Sequence, residues 1–159
     1  MRIGTRTWIG GLLSVVMLGC LAGVVHARSA SLLDGRVAVP STANCIAAFG
    51  NGGVNANSGS VQNICPSAVQ YLVGLFVDGN GGKSGFLTLR SPNTSATHCQ
   101  VVATNPDGTG ASGSNFIQNT IANVFQNITW NGVVVPGSGA MFVDCTVGPS
   151  AVLVKVDHN

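Results

Sequence analysis

The sequence has few ionisable residues and contains no glutamate. Only 8% of its 159 residues are charged, and the formal net charge of +2 comes from Arg2 and Arg6 near the N-terminus. After residue 27, the lysines and arginines are balanced by an equal number of aspartates. A chain this neutral has no basic stripe that could neutralise phosphates or anionic lipids. We therefore expect neither nucleic acid nor a membrane surface as a partner of this part of the chain.

Residues that could perform chemistry are also scarce. After residue 27 the only histidines are His98 and His158, and neither a G-x-S-x-G nor a C-x-x-C pattern occurs. His98 precedes Cys99, but neighbouring residues of a strand point to opposite faces, so the two could not act as base and nucleophile. The scattered aspartates give no sign of the paired carboxylates used in glycoside cleavage. We therefore predict no catalytic residue, no metal site and no cofactor, and hence no enzyme.

The first 27 residues have the organisation of a signal peptide. Two arginines precede a mostly apolar run over residues 12–25, and small residues around Ala27 mark a cleavage site. The apolar run is shorter than the ~20 residues that a membrane-spanning helix needs. We expect cleavage after Ala27 and a secreted or periplasmic protein. The remaining chain is long enough for one domain with a single core.

Four cysteines follow the predicted cleavage site: Cys45, Cys65, Cys99 and Cys145. An even number of cysteines in an exported chain indicates two disulfide bonds, and four cysteines allow three connectivities. We favour Cys45 with Cys65 and Cys99 with Cys145. Each of these bonds would contribute ~3 to 4 kcal/mol on a chain-entropy estimate, a large share of the stability of a small domain.

Short apolar segments rich in Val, Ile, Phe and Thr alternate with clusters of Gly, Asn, Ser or Pro, which is typical of a sandwich or barrel. We predict an all-β domain over residues 43–159, a single antiparallel β-sandwich of eight or nine short strands. A flexible N-terminal segment, residues 28–42, would precede it. The predicted strands cover residues 43–49, 61–65, 70–77, 84–90, 97–104, 116–122, 124–130, 140–147 and 151–156. Residues 51–60 and 105–114 are expected to be exposed loops.

Residues 115–130 fit two patterns. Their apolar side chains would share one face of a helix, with Asn119, Asn123 and Asn127 on the opposite face. Strand alternation is clean only from Val124 to Trp130. Asn, Thr, Val and Ile are weak helix formers, so we favour strands.

The run VDGNGGKS, residues 77–84, ends like a phosphate-binding loop, but a strand rather than a helix follows it. Asp78 and Asn80 could offer oxygen ligands to calcium, yet Leu89 occupies the position of the closing carboxylate. We interpret this run as the turn of a hairpin. Asp78 and Asn80 are nevertheless candidates for a binding surface, together with Trp130 and Asn131 at a predicted strand end. We expect Tyr71, which opens an apolar run, to be buried.

Cys45, Cys65-Pro66, Cys99, the strand ending in Trp130, and the closing run CTVGPSA (residues 145–151) together resemble small exported bacterial proteins with a four-cysteine all-β domain. The resemblance covers residues 45–156 and implies strands at residues 116–130. The resemblance implies no activity and no catalytic residue. The sequence thus favours a binding or structural module whose partner is a protein or a carbohydrate. A subunit of a surface assembly, such as a pilus or coat protein, and a small secreted hydrolase or enzyme inhibitor are the alternatives.

Overall fold

A computed structural model describes residues 28–50 and 59–159. The predicted signal peptide and most of the predicted loop at residues 51–60 lie outside the described residues. Within them, no helix is long and apolar enough to cross a membrane. The described chain forms eleven strands: β1 (Arg28–Ala30), β2 (Arg36–Val37), β3 (Ile46–Ala48), β4 (Val61–Asn63), β5 (Val69–Leu75), β6 (Gly81–Arg90), β7 (His98–Thr104), β8 (Gly110–Gly113), β9 (Gln126–Val135), β10 (Ala140–Val147) and β11 (Val152–His158). Two short 3₁₀ turns span Leu32–Asp34 and Pro40–Cys45.

The strands form two antiparallel sheets, which confirms the predicted β-sandwich. The six-stranded sheet has the order β3-β4-β11-β6-β9, and β1 pairs with the end of β11. The five-stranded sheet has the order β2-β5-β10-β7-β8. Because consecutive strands often lie in different sheets, the chain passes repeatedly from one sheet to the other. The core is enclosed between the two sheets.

Alternation of buried and exposed side chains places the core between the sheets. In β7, for example, Cys99, Val101 and Ala103 are fully buried while the residues between them are partly exposed. The same alternation runs through β5 and β10. The largest fully buried side chains are Trp130, Leu32, Leu87, Leu89, Ile117, Met141 and Leu153, and Tyr71 is 3% exposed.

The four cysteines form two disulfide bonds in the favoured pairing. Cys45 is joined to Cys65, which fastens the 3₁₀ turn before β3 to the chain beyond β4. Cys99 is joined to Cys145, and these residues lie directly opposite each other on the paired strands β7 and β10. The second bond therefore links neighbouring strands of the five-stranded sheet, and both of its cysteines are fully buried.

The N-terminal segment, residues 28–42, is part of the sandwich and not a flexible leader to it. Strand β1 pairs with residues 156–158 of β11, and β2 pairs with β5. Between them Leu32 is fully buried, and its carbonyl oxygen accepts a hydrogen bond of 2.5 Å from the Tyr71 hydroxyl. These strands are too short to show a periodic pattern, so their pairing depends on the tertiary structure.

Two predicted turns have other roles in the structure. Gly79 and Gly81 adopt the positive φ angles expected of a tight turn, but the strands on either side lie in different sheets, so no hairpin forms. The turn at residues 105–108 instead opens a hairpin, in which the Gly108 N–H donates to the Asn105 carbonyl at 2.9 Å. Strand β8 follows and pairs with β7, so residues 105–114 are not wholly a loop.

Residues 115–130 contain no helix, and only the last five of them belong to a strand. Residues 116–122 form one isolated bridge, between Ile117 and Cys99, and otherwise lack the predicted strand. Polar side chains satisfy the backbone here. Buried Asn119 donates to the Ser91 and Ile121 carbonyls, and the Gln126 side chain accepts from the backbone at residues 120 and 121. Such local bonds compete with a sheet ladder.

The buried His158 side chain makes stability depend on pH. Burial is the main cause that lowers its pKa from the ordinary 6.5, and the nearby cations Lys83 and Arg28 lower it further. Protonation therefore favours the unfolded chain. Stability should be constant above pH ~6.5 and should fall as the pH drops from there towards the lowered folded-state pKa.

Urea unfolding of the wild type and of His158→Gln, followed between pH 7.5 and pH 5, would measure this effect. The free energy of unfolding of the variant should fall less below pH ~6.5 than that of the wild type, because the glutamine side chain does not titrate. Parallel pH profiles for the two proteins would contradict the assignment.

Candidate functional site

The outer face of the five-stranded sheet carries a varied set of accessible side chains. On β5 these are Gln70, Leu72 and Gly74, and on β10 they are Phe142, Asp144 and Thr146. On β7 the outward residues are His98, Gln100, Val102 and Thr104. All of them alternate with core residues, so the strand geometry that fills the core also fixes this face.

Strand register aligns several of these side chains in a row across the sheet. Arg36 of β2 is opposite Leu72, which is opposite Asp144, which in turn is opposite Gln100. We call these four residues the transverse row. Because adjacent strands lie ~4.8 Å apart, the row places a cation, an apolar side chain, a carboxylate and an amide at regular intervals along one line.

An open groove of about 600 Å³ lies at one end of this face. Its lining combines apolar surface with two charged side chains, Asp34 and Arg36. Phe76 forms one wall and is 80% exposed. Phe142, which forms another wall, is opposite Gly74, so no side chain from β5 covers that edge of its ring. The groove is therefore bounded by accessible aromatic surface.

Hydrogen-bonding groups near the groove retain capacity for a ligand. The Gln70 Nε2 donates to both carboxylate oxygens of Asp144, at 3.1 and 3.2 Å, which holds the carboxylate in place. Each oxygen keeps a further lone pair. Arg36 is exposed and forms no ion pair within residues 28–50 and 59–159. The arrangement suits a ligand with both apolar C–H surface and many hydroxyl groups.

The residues predicted for a binding surface do not line the groove. Trp130 is only 1% exposed, so it is not part of a binding surface. It packs in the core against Gly85, where an added Cβ would approach the indole ring to 2.8 Å. Asp78 forms an ion pair with Arg28. Asn80 and Asn131 are exposed but lie outside the groove.

Trp130 does not end its strand, which explains the error. The Asn131-Gly132 pair looks like a turn, but β9 continues through it to Val135. Gly132 has a φ of 77°, and the pairing of β9 with β6 shifts register opposite it. This is a bulge, with glycine in the left-handed conformation.

The alternation within β10 already indicates part of the site. In AMFVDCTV, residues 140–147, the alternation that buries one side of β10 puts Phe142, Asp144 and Thr146 together on the other. An aromatic ring and a carboxylate on one accessible strand face can contact the apolar and the polar parts of one ligand. No local pattern, however, indicates that Arg36 joins them, because β2 has only two residues.

His98 and Cys99 do not form a pair of base and nucleophile. Cys99 is bonded to Cys145, and His98 points to the opposite face of β7. Its imidazole instead contacts Phe116 edge-on, with ring centres 5.7 Å apart. In the described part of the chain, no three His, Cys, Asp or Glu side chains are grouped as metal ligands would be.

Several solved structures share this fold. TmCBM61 in complex with β-1,4-galactotriose matches with a TM-score of 0.51 and 12% identity over 80% of this chain and 88% of that one. An exo-β-1,3-galactanase from Phanerochaete chrysosporium, solved with galactose, matches with a TM-score of 0.51 and 13% identity over 84% and 29%. A Paenibacillus sp. cycloisomaltooligosaccharide glucanotransferase complexed with cycloisomaltoheptaose matches with a TM-score of 0.52 and 12% identity over 81% and 18%.

These similarities establish a shared fold. This chain spans less than a third of the galactanase and of the glucanotransferase chains, and nearly all of the TmCBM61 chain. The sequence matches no protein-family model and no curated protein.

Proposed function

We propose that this protein is an exported carbohydrate-binding module that holds a glycan against the outer face of its five-stranded sheet. The observation that carries the proposal is the groove itself. It combines accessible rings of Phe76 and Phe142 with the charged side chains of Asp34 and Arg36. Export is supported by the composition of residues 1–27 and by the two disulfide bonds.

Sugars have the chemistry that this groove complements. A pyranose ring has an apolar face of C–H groups, which packs on an aromatic ring, and a rim of hydroxyls. Hydroxyls donate to carboxylates such as Asp144 and accept from guanidinium groups such as that of Arg36. Gln70 fixes the Asp144 carboxylate before any ligand arrives, which reduces the ordering cost of binding.

The structural neighbours support carbohydrate binding. Three of them were solved with galactose, a galactotriose or a cyclic glucan bound. TmCBM61 is the one whose chain is almost fully covered, so its whole fold corresponds to this one. A domain of this size can therefore bind a sugar without an attached catalytic domain, and we assign the present chain the same role.

We expect Phe142→Ala to weaken glycan binding about tenfold, because it removes the apolar wall on which a sugar ring would pack (~1.4 kcal/mol). Asp144→Asn should weaken it by a similar factor, because an amide nitrogen replaces one acceptor oxygen. The measurement is calorimetric titration of the mature protein with β-1,4-galactotriose and with isomaltotriose, after a screen on a neutral glycan array.

Phe86→Ala is the matched control. Phe86 is a partly exposed phenylalanine on the outer face of the other sheet, where the Lys155 ammonium lies 4.9 Å from its ring centre. Its loss should leave glycan affinity unchanged. No binding to any glycan of the array would overturn the proposed function, and equal losses in Phe86→Ala and Phe142→Ala would overturn the assignment of the face.

A further inference from the structure

We propose, on the basis of the carbohydrate-binding function above, that the site extends across β2, β5, β10 and β7 to a second aromatic subsite formed by Phe116 and His98. The ligand class that follows is a linear, uncharged oligosaccharide that crosses the strands. The groove at Phe142 would hold one end of this chain, and the Phe116 ring would hold the other. Asp144 and Gln100 of the transverse row would contact the units between them.

Strand register places the second subsite on the same line. Ile117 pairs with Cys99, and both backbone hydrogen bonds of this pair measure 2.8 Å. Phe116 therefore sits one strand position beyond Gln100, on the outer side of the sheet. From Arg36 to Phe116 the line crosses four strand spacings, or roughly 19 Å at ~4.8 Å each. A single sugar ring cannot reach both ends.

Phe116 is both exposed and fixed, which is the combination that a stacking platform needs. Its side chain is 63% exposed although it is apolar. The backbone bonds of Ile117 hold its position, and the His98 ring contacts it edge-on at 87° between the ring planes. This contact leaves a face of the Phe116 ring accessible. A rigid aromatic side chain loses little entropy when a ligand packs on it.

The charges on this face favour neutral sugars. Among the described residues of the groove and the transverse row, the carboxylates of Asp34 and Asp144 outnumber the single guanidinium of Arg36. Asp144 lies at the centre of the row, where it would repel a uronate or sulfate group. Uncharged hydroxyls can donate to it without this penalty.

The test compares chain lengths. Calorimetric titration would use β-1,4-galacto-oligosaccharides and linear isomalto-oligosaccharides, each from the disaccharide to the hexasaccharide, with oligogalacturonides as the acidic counterpart. For the wild type, affinity should rise with length beyond the trisaccharide and then level off. Phe116→Ala should abolish this rise, a loss of about tenfold for the hexasaccharide, and leave trisaccharide binding unchanged. Phe142→Ala should weaken every length.

The two proposals fail in different ways. If Phe116→Ala binds the hexasaccharide as tightly as the wild type does, or if affinity stops rising at the trisaccharide, the extended site is wrong and the proposed function stands. Tighter binding of oligogalacturonides than of the neutral series would overturn the ligand class. If neither neutral series nor the acidic one binds, the extended site is wrong, and if the glycan array is blank as well, the proposed function is wrong with it. Circular dichroism of each variant verifies that exposed Phe116 can be replaced without unfolding.

Discussion

Replacement of Cys99 and Cys145 together by alanine is expected to lower the free energy of unfolding by about 4 kcal/mol. The bond closes a loop with a sequence separation of 46, and the entropy that it removes from the unfolded chain grows with the logarithm of loop length. The pair Cys45 and Cys65 closes a shorter loop, with a separation of 20, so its removal should cost about 3 kcal/mol. For a domain of this size, the larger loss corresponds to a melting temperature lower by on the order of 15 °C.

Urea unfolding of the oxidised mature protein and of the two double-alanine variants would measure both losses. Burial adds to the difference, because Cys99 and Cys145 are fully buried whereas Cys65 is partly exposed. Removing the inner bond also leaves a small cavity between β7 and β10. A larger loss for the Cys45 and Cys65 variant would contradict the chain-entropy account, and no loss in either variant would show that neither bond constrains the unfolded chain.

The strands predicted well from the sequence are those long enough to show the alternation of buried and accessible positions in their own residues. Strand β10 has the predicted bounds, residues 140–147, because an apolar residue occupies every second, buried position and glycine flanks both ends. The observed strand β7 differs from the predicted one by only one residue, because its buried residues also occupy every second position. In both, the hydrophobic effect alone decides which side of the strand faces the core.

The missed strands depend on partners distant in sequence. β1 has three residues and β2 has two, and β8 is half glycine, so none of them carries a periodic signal. Each forms because an edge of β11, β5 or β7 offers unpaired backbone groups. Likewise the turn at Gly79 and Gly81 has the predicted backbone conformation, but nothing local determines which sheet the next strand joins.

The same distinction explains which parts of the candidate site were accessible to sequence reasoning. Phe142 and Asp144 share a strand face, which can be inferred from residues 140–147 alone. Arg36 and Phe116 join that face only through pairing with β5 and with Cys99. A row that crosses strands is built from sequence positions far apart, and it can be assembled only when the register of every pair is known.

The fold also separates stability from recognition. The inner faces of both sheets make one buried cluster, whereas Leu72, Phe142, Asp144 and Gln100 of the proposed site lie on the outer face of the five-stranded sheet. Substitutions between the sheets should therefore change the fraction folded, and substitutions on the outer face should change affinity. Residues more than one layer apart without shared partners act nearly independently.

Trp130→Ala is expected to show this separation most strongly, with a loss of ~3 to 5 kcal/mol in unfolding free energy. The side chain is 1% exposed and packs over Gly85, so truncation leaves a large cavity in the six-stranded sheet. Trp130→Phe should cost much less, ~1.5 kcal/mol or below, because it keeps the aromatic volume partly filled. It also removes an indole N–H that has no hydrogen-bond acceptor among the described residues, and a buried donor without a partner costs ~1 to 3 kcal/mol.

Urea unfolding gives the two stabilities, and calorimetric titration below the unfolding transition gives glycan affinity per folded molecule. Both Trp130 variants should keep their affinity within about twofold of the wild type, because Trp130 belongs to the other sheet. Phe142→Ala should do the reverse, with nearly unchanged stability and weakened binding. If Trp130→Phe were destabilised as much as Trp130→Ala, we would infer that the indole N–H of Trp130 has a hydrogen-bond partner in the folded protein. If Trp130→Ala lost affinity as a folded protein, the binding surface would have to include the six-stranded sheet.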